Sequence, residues 1–174
     1  FYGIYVDFAR TAPMTSVATG NTRNSFNHCT LEATAGANQY MLRVSSLSTI
    51  AEFNDCLFKC SGATGWKPLY SNAHGSLFRL NNCIFQAASG SIATVFVDTN
   101  SVCQAFLTGC DLTPLTYLLE NIGAVVGDDI QNYIVNNCTI HASFNGIEES
   151  VVIHGFNLEA YNCTDATADT PNQF

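Results

Sequence analysis

The sequence predicts an all-β fold built from stacked copies of one unit, on three observations. A short stretch centred on a cysteine recurs along the chain. Phe53-Asn54-Asp55-Cys56-Leu57-Phe58 returns as Leu80-Asn81-Asn82-Cys83-Ile84-Phe85, and precedes itself as Phe26-Asn27-His28-Cys29-Thr30-Leu31. It continues as Leu107-Thr108-Gly109-Cys110-Asp111-Leu112 and Val135-Asn136-Asn137-Cys138-Thr139-Ile140, and closes as Ala160-Tyr161-Asn162-Cys163-Thr164-Asp165. From Cys29 through Cys56, Cys83, Cys110 and Cys138 to Cys163 the step is nearly constant, and a fixed period of about 27 residues marks stacked repeats. The second observation is alternation: with the cysteine at phase zero, the residue at +2 is Leu31, Phe58, Phe85, Leu112 and Ile140, with Asp165 the exception. Side chains that alternate in this way belong to strands. The third is residue choice. Each repeat carries Asn pairs, Gly, Ser and β-branched residues where a helical hairpin would carry Ala, Leu, Glu and Lys.

A corner is predicted just before each cysteine. Position −3 is apolar (Phe26, Phe53, Leu80, Leu107, Val135, Ala160), so the inward parity changes between −3 and 0. Asparagine fills the gap, as Asn27, Asn54, Asn81, Asn82, Asn136, Asn137 and Asn162. Asn tolerates left-handed backbone and hydrogen-bonds its own chain, which suits a sharp bend. Strands stack about 4.8 Å apart. Like residues therefore sit on like residues: Phe26 on Phe53, Phe58 on Phe85, and the corner amides Asn27, Asn54, Asn81 and Asn136 in a ladder.

This pattern resembles the right-handed parallel β-helix, the family shared by pectate lyases, phage tailspikes and many surface proteins. The resemblance spans almost the whole chain and lies in the repeat, not in a catalytic signature. It implies about six to seven coils of roughly 27 residues, with three strands per coil.

Taken in order, residues 1–8 alternate and read as a strand. Counting back one period from Cys29 lands on Tyr2, which places Ile4 beneath Leu31. Residues 10–24 complete that circuit through Pro13, Met14 and a Gly20-Asn21 turn. Each later repeat holds a second apolar strand about ten residues after its cysteine. These are Tyr40-Met41-Leu42-Arg43-Val44, Pro68-Leu69-Tyr70, Ala93-Thr94-Val95-Phe96-Val97, Thr116-Tyr117-Leu118-Leu119 and Glu149-Ser150-Val151-Val152. Turns rich in Gly, Ser and Ala separate them, as in residues 61–65 and 87–91. A third strand runs into the Asn corner, as in Ser76-Leu77-Phe78-Arg79-Leu80. The whole, residues 1–174, is expected to be one domain. It is expected to be a segment of a longer chain, or one whose ends dock onto partners, because an open stack exposes unpaired edges.

Composition narrows the functional classes. Apolar residues make up 47% of the 174, which excludes disorder. No apolar run reaches the roughly 18 residues of a membrane span. The net charge is −8 with only six Lys plus Arg, which disfavours nucleic acid and acidic polysaccharide. Neutral sugars or other protein subunits are the expected partners. Six of the eight cysteines share one phase. Their parallel Cβ vectors would lie about 4.8 Å apart, wider than a disulfide prefers, so Cys29, Cys56, Cys83, Cys110, Cys138 and Cys163 are expected to be reduced, buried and apolar in character. Cys60 and Cys103 are off phase. Zinc sites use clustered CxxC pairs and none occurs. His28, His74 and His141 fall on different phases, so no metal or cofactor is expected.

The candidate sites are few. Gly127-Asp128-Asp129-Ile130 with Ile153-His154-Gly155 resembles fragments of the polygalacturonase pattern, which would make Asp128, Asp129 and His154 acid–base candidates on adjacent coils. The Asn-Thr-Asp and Arg-Ile-Lys of that pattern are missing, and Asp98-Thr99-Asn100 has the reverse order. Turn positions explain the same residues. Glu120 and Glu148 share phase +10, with Glu149 alongside. The tailspike and pectate-lyase resemblance implies an inverting pair or a calcium site for them, and solvated surface carboxylates are the alternative. Asn137 and Asn162 match glycosylation sequons but belong to the repeat corner. Trp66 with Tyr70 would suit sugar stacking, or would cover the side of the stack.

With no complete catalytic set, the expected function is a non-catalytic structural or adhesive module. It would sit on a virion, as a capsid decoration protein, tailspike or fibre, or on a microbial surface, with capsid or tail proteins at its ends. Free thiols suit assembly in a reducing compartment. The alternative is a carbohydrate-active hydrolase or lyase, which rests on analogy of fold.

Overall fold

The structure is a computed structural model that describes residues 1–7, 14–16, 23–34, 40–44, 49–61, 67–71, 75–87, 92–98, 103–121, 131–141, 147–149 and 156–165. The first repeat supplies β1 (Tyr5–Asp7), β2 (Met14–Ser16) and β3 (Arg23–Asn27). The second supplies β4 (Thr30–Ala33), β5 (Tyr40–Val44) and β6 (Ile50–Asn54). Next come β7 (Leu57–Cys60), β8 (Lys67–Ser71) and β9 (Ser76–Asn81), then β10 (Ile84–Ala87), β11 (Ile92–Asp98) and β12 (Cys103–Thr108). After Cys110 the chain gives β13 (Leu115–Asn121) and β14 (Gln131–Asn136), then β15 (Thr139–Ile140), β16 (Ile147–Glu149), β17 (Phe156–Tyr161) and β18 (Thr164–Asp165). No helix occurs among the described residues, so none is long and apolar enough to cross a membrane.

The fold is all-β with parallel sheets. The first sheet has the order β1-β4-β7-β10, and β15-β18 form a separate pair. A second runs β2-β5-β8-β11-β13-β16 and a third β3-β6-β9-β12-β14-β17. Neighbours in each sheet come from successive repeats. In the third sheet the register holds Phe26 against Phe53, Phe53 against Leu80, Leu80 against Leu107, Leu107 against Val135 and Val135 against Ala160. Position −3 is thus a continuous column.

The core lies where these columns meet. Phe26, Phe53, Leu80, Leu107 and Val135 are buried, as are Leu31, Phe58, Phe85, Leu112 and Ile140 at +2. The expected ring stacks are present. Phe26 and Phe53 centroids are 4.9 Å apart with planes 9° from parallel, and Phe58 and Phe85 are 4.9 Å apart at 6°. Phe53 meets Phe58 edge to face at 5.1 Å, which ties the −3 column to the +2 column across the corner. Such pairs contribute about 0.5–1.5 kcal/mol beyond their burial. Asp165 is buried at +2 even though it is a carboxylate.

The corner has one constant geometry. The residue before the cysteine is left-handed in every repeat: His28, Asp55, Asn82, Asn137 and Asn162 all have φ of 52°, and Gly109 has 66°. The side-chain amides one position earlier form the expected ladder over three repeats, with Asn54 Nδ2 donating to Asn27 Oδ1 at 2.9 Å and Asn81 Nδ2 to Asn54 Oδ1 at 2.8 Å. Asn136 stands apart from that run, because its column neighbours are Thr108 and Tyr161.

Two expectations are corrected. The first repeat is two residues out of the counted register. Gly3 carries the left-handed φ of 62°, and Thr30 N donates to Ile4 O as Leu57 N does to Cys29 O. Ile4 therefore occupies the cysteine phase, Val6 lies beneath Leu31, and Phe1 stacks on Phe26 at 4.8 Å. The error came from extending the cysteine period to the first repeat, where the step from Ile4 to Cys29 is two shorter than the next three. The fifth second-face strand is Ile147–Glu149, earlier than expected, because the strand before it, β15, is two residues long where β4, β7 and β10 have four. Residues 150–152 lie outside the described residues.

Candidate functional site: a step in the stacked sheet

The period of the cysteines is nearly constant, but the arcs between them are not. Leu42, Leu69 and Phe96 pair across the second sheet, each at phase +13 from its cysteine. Phe96 then pairs with Leu119, which is only at +9 from Cys110, and Leu119 with Ile147, at +9 from Cys138. The arc after the cysteine thus shortens by four residues at Cys110. The total is restored on the far side, before β14.

Residues 111–115 make the shortcut. Asp111 still bridges Ile84 below and Thr139 above. Phe85 N donates to Asp111 O at 3.3 Å, and Leu112, buried, keeps the +2 position with its N–H on Thr139 O at 2.8 Å. The chain then leaves the sheet. Asp111 Oδ1 accepts from Thr113 N at 3.1 Å and from Thr113 Oγ1 at 2.8 Å. Pro114 has no N–H to give a ladder. Leu115 N closes a turn on Leu112 O at 3.0 Å. An Asp two residues before its amide partner and a Pro in the turn are the local reasons the strand stops.

The result is a step. Below it β4, β7 and β10 are four residues long; above it β15 and β18 are two. β10 is the edge of its sheet. A cavity of about 480 Å³ opens there, lined by Lys59, Ser61, Ile84, Gln86, Asp111 and Pro114 among others. That volume lies within the usual range of ligand sites. Ile84 is 45% exposed beside it.

Charges below the step are paired along the stack. Glu32, nearly buried, receives hydrogen bonds from Ser61 Oγ and, at 2.8 Å, from Tyr5 Oη, and Lys59 Nζ stands 3.0 Å away. Those bonds from Ser61, Tyr5 and Lys59 hold its carboxyl down at about 2. Glu52 is clamped by Arg23, whose Nε and Nη2 reach its two oxygens at 2.8 and 2.9 Å, and by Arg79 Nη1 at 3.3 Å. Sequence reasoning missed both groups. The signal was there: Glu32 and Lys59, and Glu52 and Arg79, stand one period apart with opposite charge.

The buried thiols form a column with a hydrogen-bonding role of its own. Seven cysteines, Cys60 and the six in phase, are free and buried among the described residues. Cys56 Sγ lies 3.3 Å from Asn54 O in its own corner and 3.4 Å from Phe26 O in the repeat below. Cys83 and Cys110 repeat the arrangement with Phe53 O at 3.4 Å and Leu80 O at 3.5 Å. A small thiol thus fits the core and offers a weak donor to the corner carbonyls. Contact with neighbouring thiols, Cys110 foremost, and burial push the Cys83 and Cys138 thiols above their ordinary value.

Of the sequence candidates, Glu120 and Glu148 are direct partners on adjacent strands β13 and β16, with Asn121 against Glu149. Asp128, Asp129, His154, His74 and Trp66 lie outside the described residues, and Cys103 is described only in its backbone. No group of three or more His, Cys, Asp or Glu suited to a metal ion is found among the described residues. Comparison with family models, curated proteins and solved structures found no match to this chain.

Proposed function

We propose that the three sheets are the faces of a right-handed parallel β-helix and that the chain serves as a non-catalytic structural or adhesive module. Its setting would be a virion, as a capsid decoration protein, tailspike or fibre, or a microbial surface. The observation that carries this reading is the unbroken −3 column from Phe26 to Val135, flanked by amide and thiol ladders. Those groups serve the stacking of repeats. The buried carboxylates Glu32 and Glu52 serve it too, each held by a basic side chain from another repeat. Phe1, Tyr2, Ile4 and Tyr5 are exposed on the first repeat, an apolar surface of the kind that subunit contacts use. Free thiols accord with assembly in a reducing compartment.

A second reading is favoured by one observation, the pairing of Glu120 with Glu148. Two carboxylates one strand apart could serve a carbohydrate-active hydrolase, or a lyase with a bound calcium ion. One experiment separates the readings. Intact virus particles or cells from the source are purified and probed for the chain, and the free chain is assayed on neutral and acidic glycans. Stoichiometric recovery with capsid, tail or surface proteins supports the module. Glycan cleavage that disappears in Glu120→Ala or Asp128→Ala, with the chain absent from particles and surfaces, overturns it.

A further inference from the structure

We infer that the column of in-phase cysteines is a binding site for soft monovalent metal ions of the copper(I) class, each held in line between the sulfurs of two neighbouring repeats. Three observations converge on it. The first is position. Cys29, Cys56, Cys83, Cys110, Cys138 and Cys163 each hold Sγ 3.3–3.6 Å from the carbonyl oxygen two residues before. One side-chain placement thus repeats in all six. The corners that carry them are joined at every step, from Leu57 N on Cys29 O at 2.9 Å to Thr164 N on Cys138 O at 2.9 Å. The sulfurs therefore climb at the strand spacing of about 4.8 Å. That is too wide for an S–S bond of about 2 Å and close to two metal–thiolate bonds of about 2.3 Å set in line.

The second observation is the company the sulfurs keep. Cys56 meets Cys83 and Cys29, and Cys110 meets Cys138 and Cys83. They share one apolar core with Phe53, Phe58, Leu80 and Phe85. No three metal-binding side chains converge on one point among the described residues, which denies a tetrahedral ion its ligands but not a linear one. Soft sulfur selects copper(I), whereas the corner carbonyls suit harder ions. The third observation is burial. All six thiols are buried, and an uncompensated charge there is costly. When an ion enters a pair, one S–H bond breaks and one S–metal bond forms, while the second sulfur gives a lone pair and keeps its hydrogen. One proton leaves for each monovalent ion gained, so the pair stays neutral. A sulfur in a straight column takes one such bond, because a second would stand directly opposite the first. The six therefore pair as Cys29 with Cys56, Cys83 with Cys110 and Cys138 with Cys163, which makes three ions. Each ion staples two repeats together, whatever the setting of the chain.

The test loads the column as it forms, because the folded core shuts the thiols away. The denatured chain is refolded without oxygen in the presence of copper(I), loose ion is removed with a chelator, and the remainder is counted by native mass spectrometry. Three retained ions per chain are expected, with the strand signal of the metal-free chain intact. X-ray absorption at the copper edge should show two sulfur neighbours at about 2.3 Å and no oxygen or nitrogen. Cys83→Ser should lower the count by one ion. Cys60→Ser should leave it unchanged, since Cys60 stands in register with Ala33 and Ala87 rather than with a thiol. Zinc(II) in place of copper(I) should not be retained. No retained copper, three or more sulfurs around each ion, loss of the strand signal on loading, equal retention of zinc, or an unchanged count in Cys83→Ser would each overturn the inference. Because retention and coordination are read on the unaltered chain, a folding defect in Cys83→Ser leaves those outcomes decisive.

Discussion

Asn81 Nδ2 stands 2.8 Å from Asn54 Oδ1, and Asn54 in turn gives its own amide to Asn27 Oδ1 at 2.9 Å. Asn54 is therefore the middle of a chain of amides, donor on one side and acceptor on the other. Asn54→Ala removes both bonds and leaves two half-buried partners unsatisfied, which costs about 1–3 kcal/mol. Asn136→Ala should cost less than about 1 kcal/mol, since Thr108 and Tyr161 flank it in place of amides. Urea melts of the two variants against the parent give the comparison. Equal losses would remove the ladder as a source of stability.

Glycine takes the corner at Gly3 and Gly109, and at Gly109 the neighbouring repeat explains why. A Cβ there would lie 2.5 Å from Asn82 Oδ1, at a φ of 66°. Gly109→Ala should therefore cost the left-handed backbone strain of about 1–2 kcal/mol plus displacement of the Asn82 amide from Asp55 Oδ1, now 3.2 Å away. Combining it with Asn82→Gly separates the two effects. The double variant should recover the steric part and keep the backbone part, so the two changes should be less costly together than summed. Strict additivity in thermal melts would show that the Asn82 contact does not matter.

The step and its charges were partly legible in the sequence, and the reasons differ by residue. The cysteine period gave the pairings of β3, β6, β9, β12, β14 and β17, because one register fixes every −3 and 0 side chain on the inner face. It could not give the loop lengths, since four residues lost before β13 are regained before β14 and the period barely moves. Asp111-Leu112-Thr113-Pro114 held the local signal, an Asp that captures a nearby amide and a Pro that ends a ladder, but +1 and +2 still read as strand. The first repeat failed for the opposite reason: its shorter step was hidden because Ile4 stands where later repeats have cysteine. Glu32 with Lys59 shows that charges, too, obey the period, a regularity visible only once the strands are in register.

Glu32 predicts a pH dependence with a definite sign. Hydrogen bonds from Ser61, Tyr5 and Lys59 hold its carboxyl at about 2 in the folded chain, against an ordinary 4.5. A depressed carboxylate stabilises the fold fully above its unfolded value and loses that contribution as pH falls through the folded one. The window is therefore 4.5 down to about 2. Glu32→Gln should lower stability at neutral pH and flatten the acid limb of the stability curve across that window. The same network raises the Tyr5 phenol, chiefly through its bond to Glu32, so the Tyr5 titration should move back towards 10 in the variant. An unchanged acid limb would mean that Glu32 is no better held in the folded chain than in the unfolded one.

Phe53 and Phe1 occupy the same column with different surroundings. Phe53 is fully buried between Phe26 and the edge of Phe58, whereas Phe1 covers Phe26 from one side and is 63% exposed. Truncating a buried Phe costs about 3–5 kcal/mol, through lost burial and the cavity left behind. Phe53→Ala should fall in that range. Phe1→Ala should cost under about 1 kcal/mol, as an exposed ring has little burial to lose. Denaturant midpoints at constant slope are the measure, and a Phe1 effect as large as that of Phe53 would mean that Phe1 is covered in solution.

The thiol column gives the most direct check on the stacking itself. Cys56, Cys83 and Cys110 are buried and free, each within 3.5 Å of a carbonyl of the repeat below. Alkylation needs a thiolate and access, and a buried thiol lacks access whatever its acidity. Iodoacetamide should therefore leave these three unmodified in the native chain and modify all of them in denaturant, with mass spectrometry locating the adducts. Native labelling should follow the opening of the corner between the two sheets that flank each thiol, as at Cys83 between β9 and β10. Rapid native modification of Cys83 would place it at the surface. Labelling lost to Cys56–Cys83 cross-links would put the two sulfurs closer than parallel neighbouring strands allow.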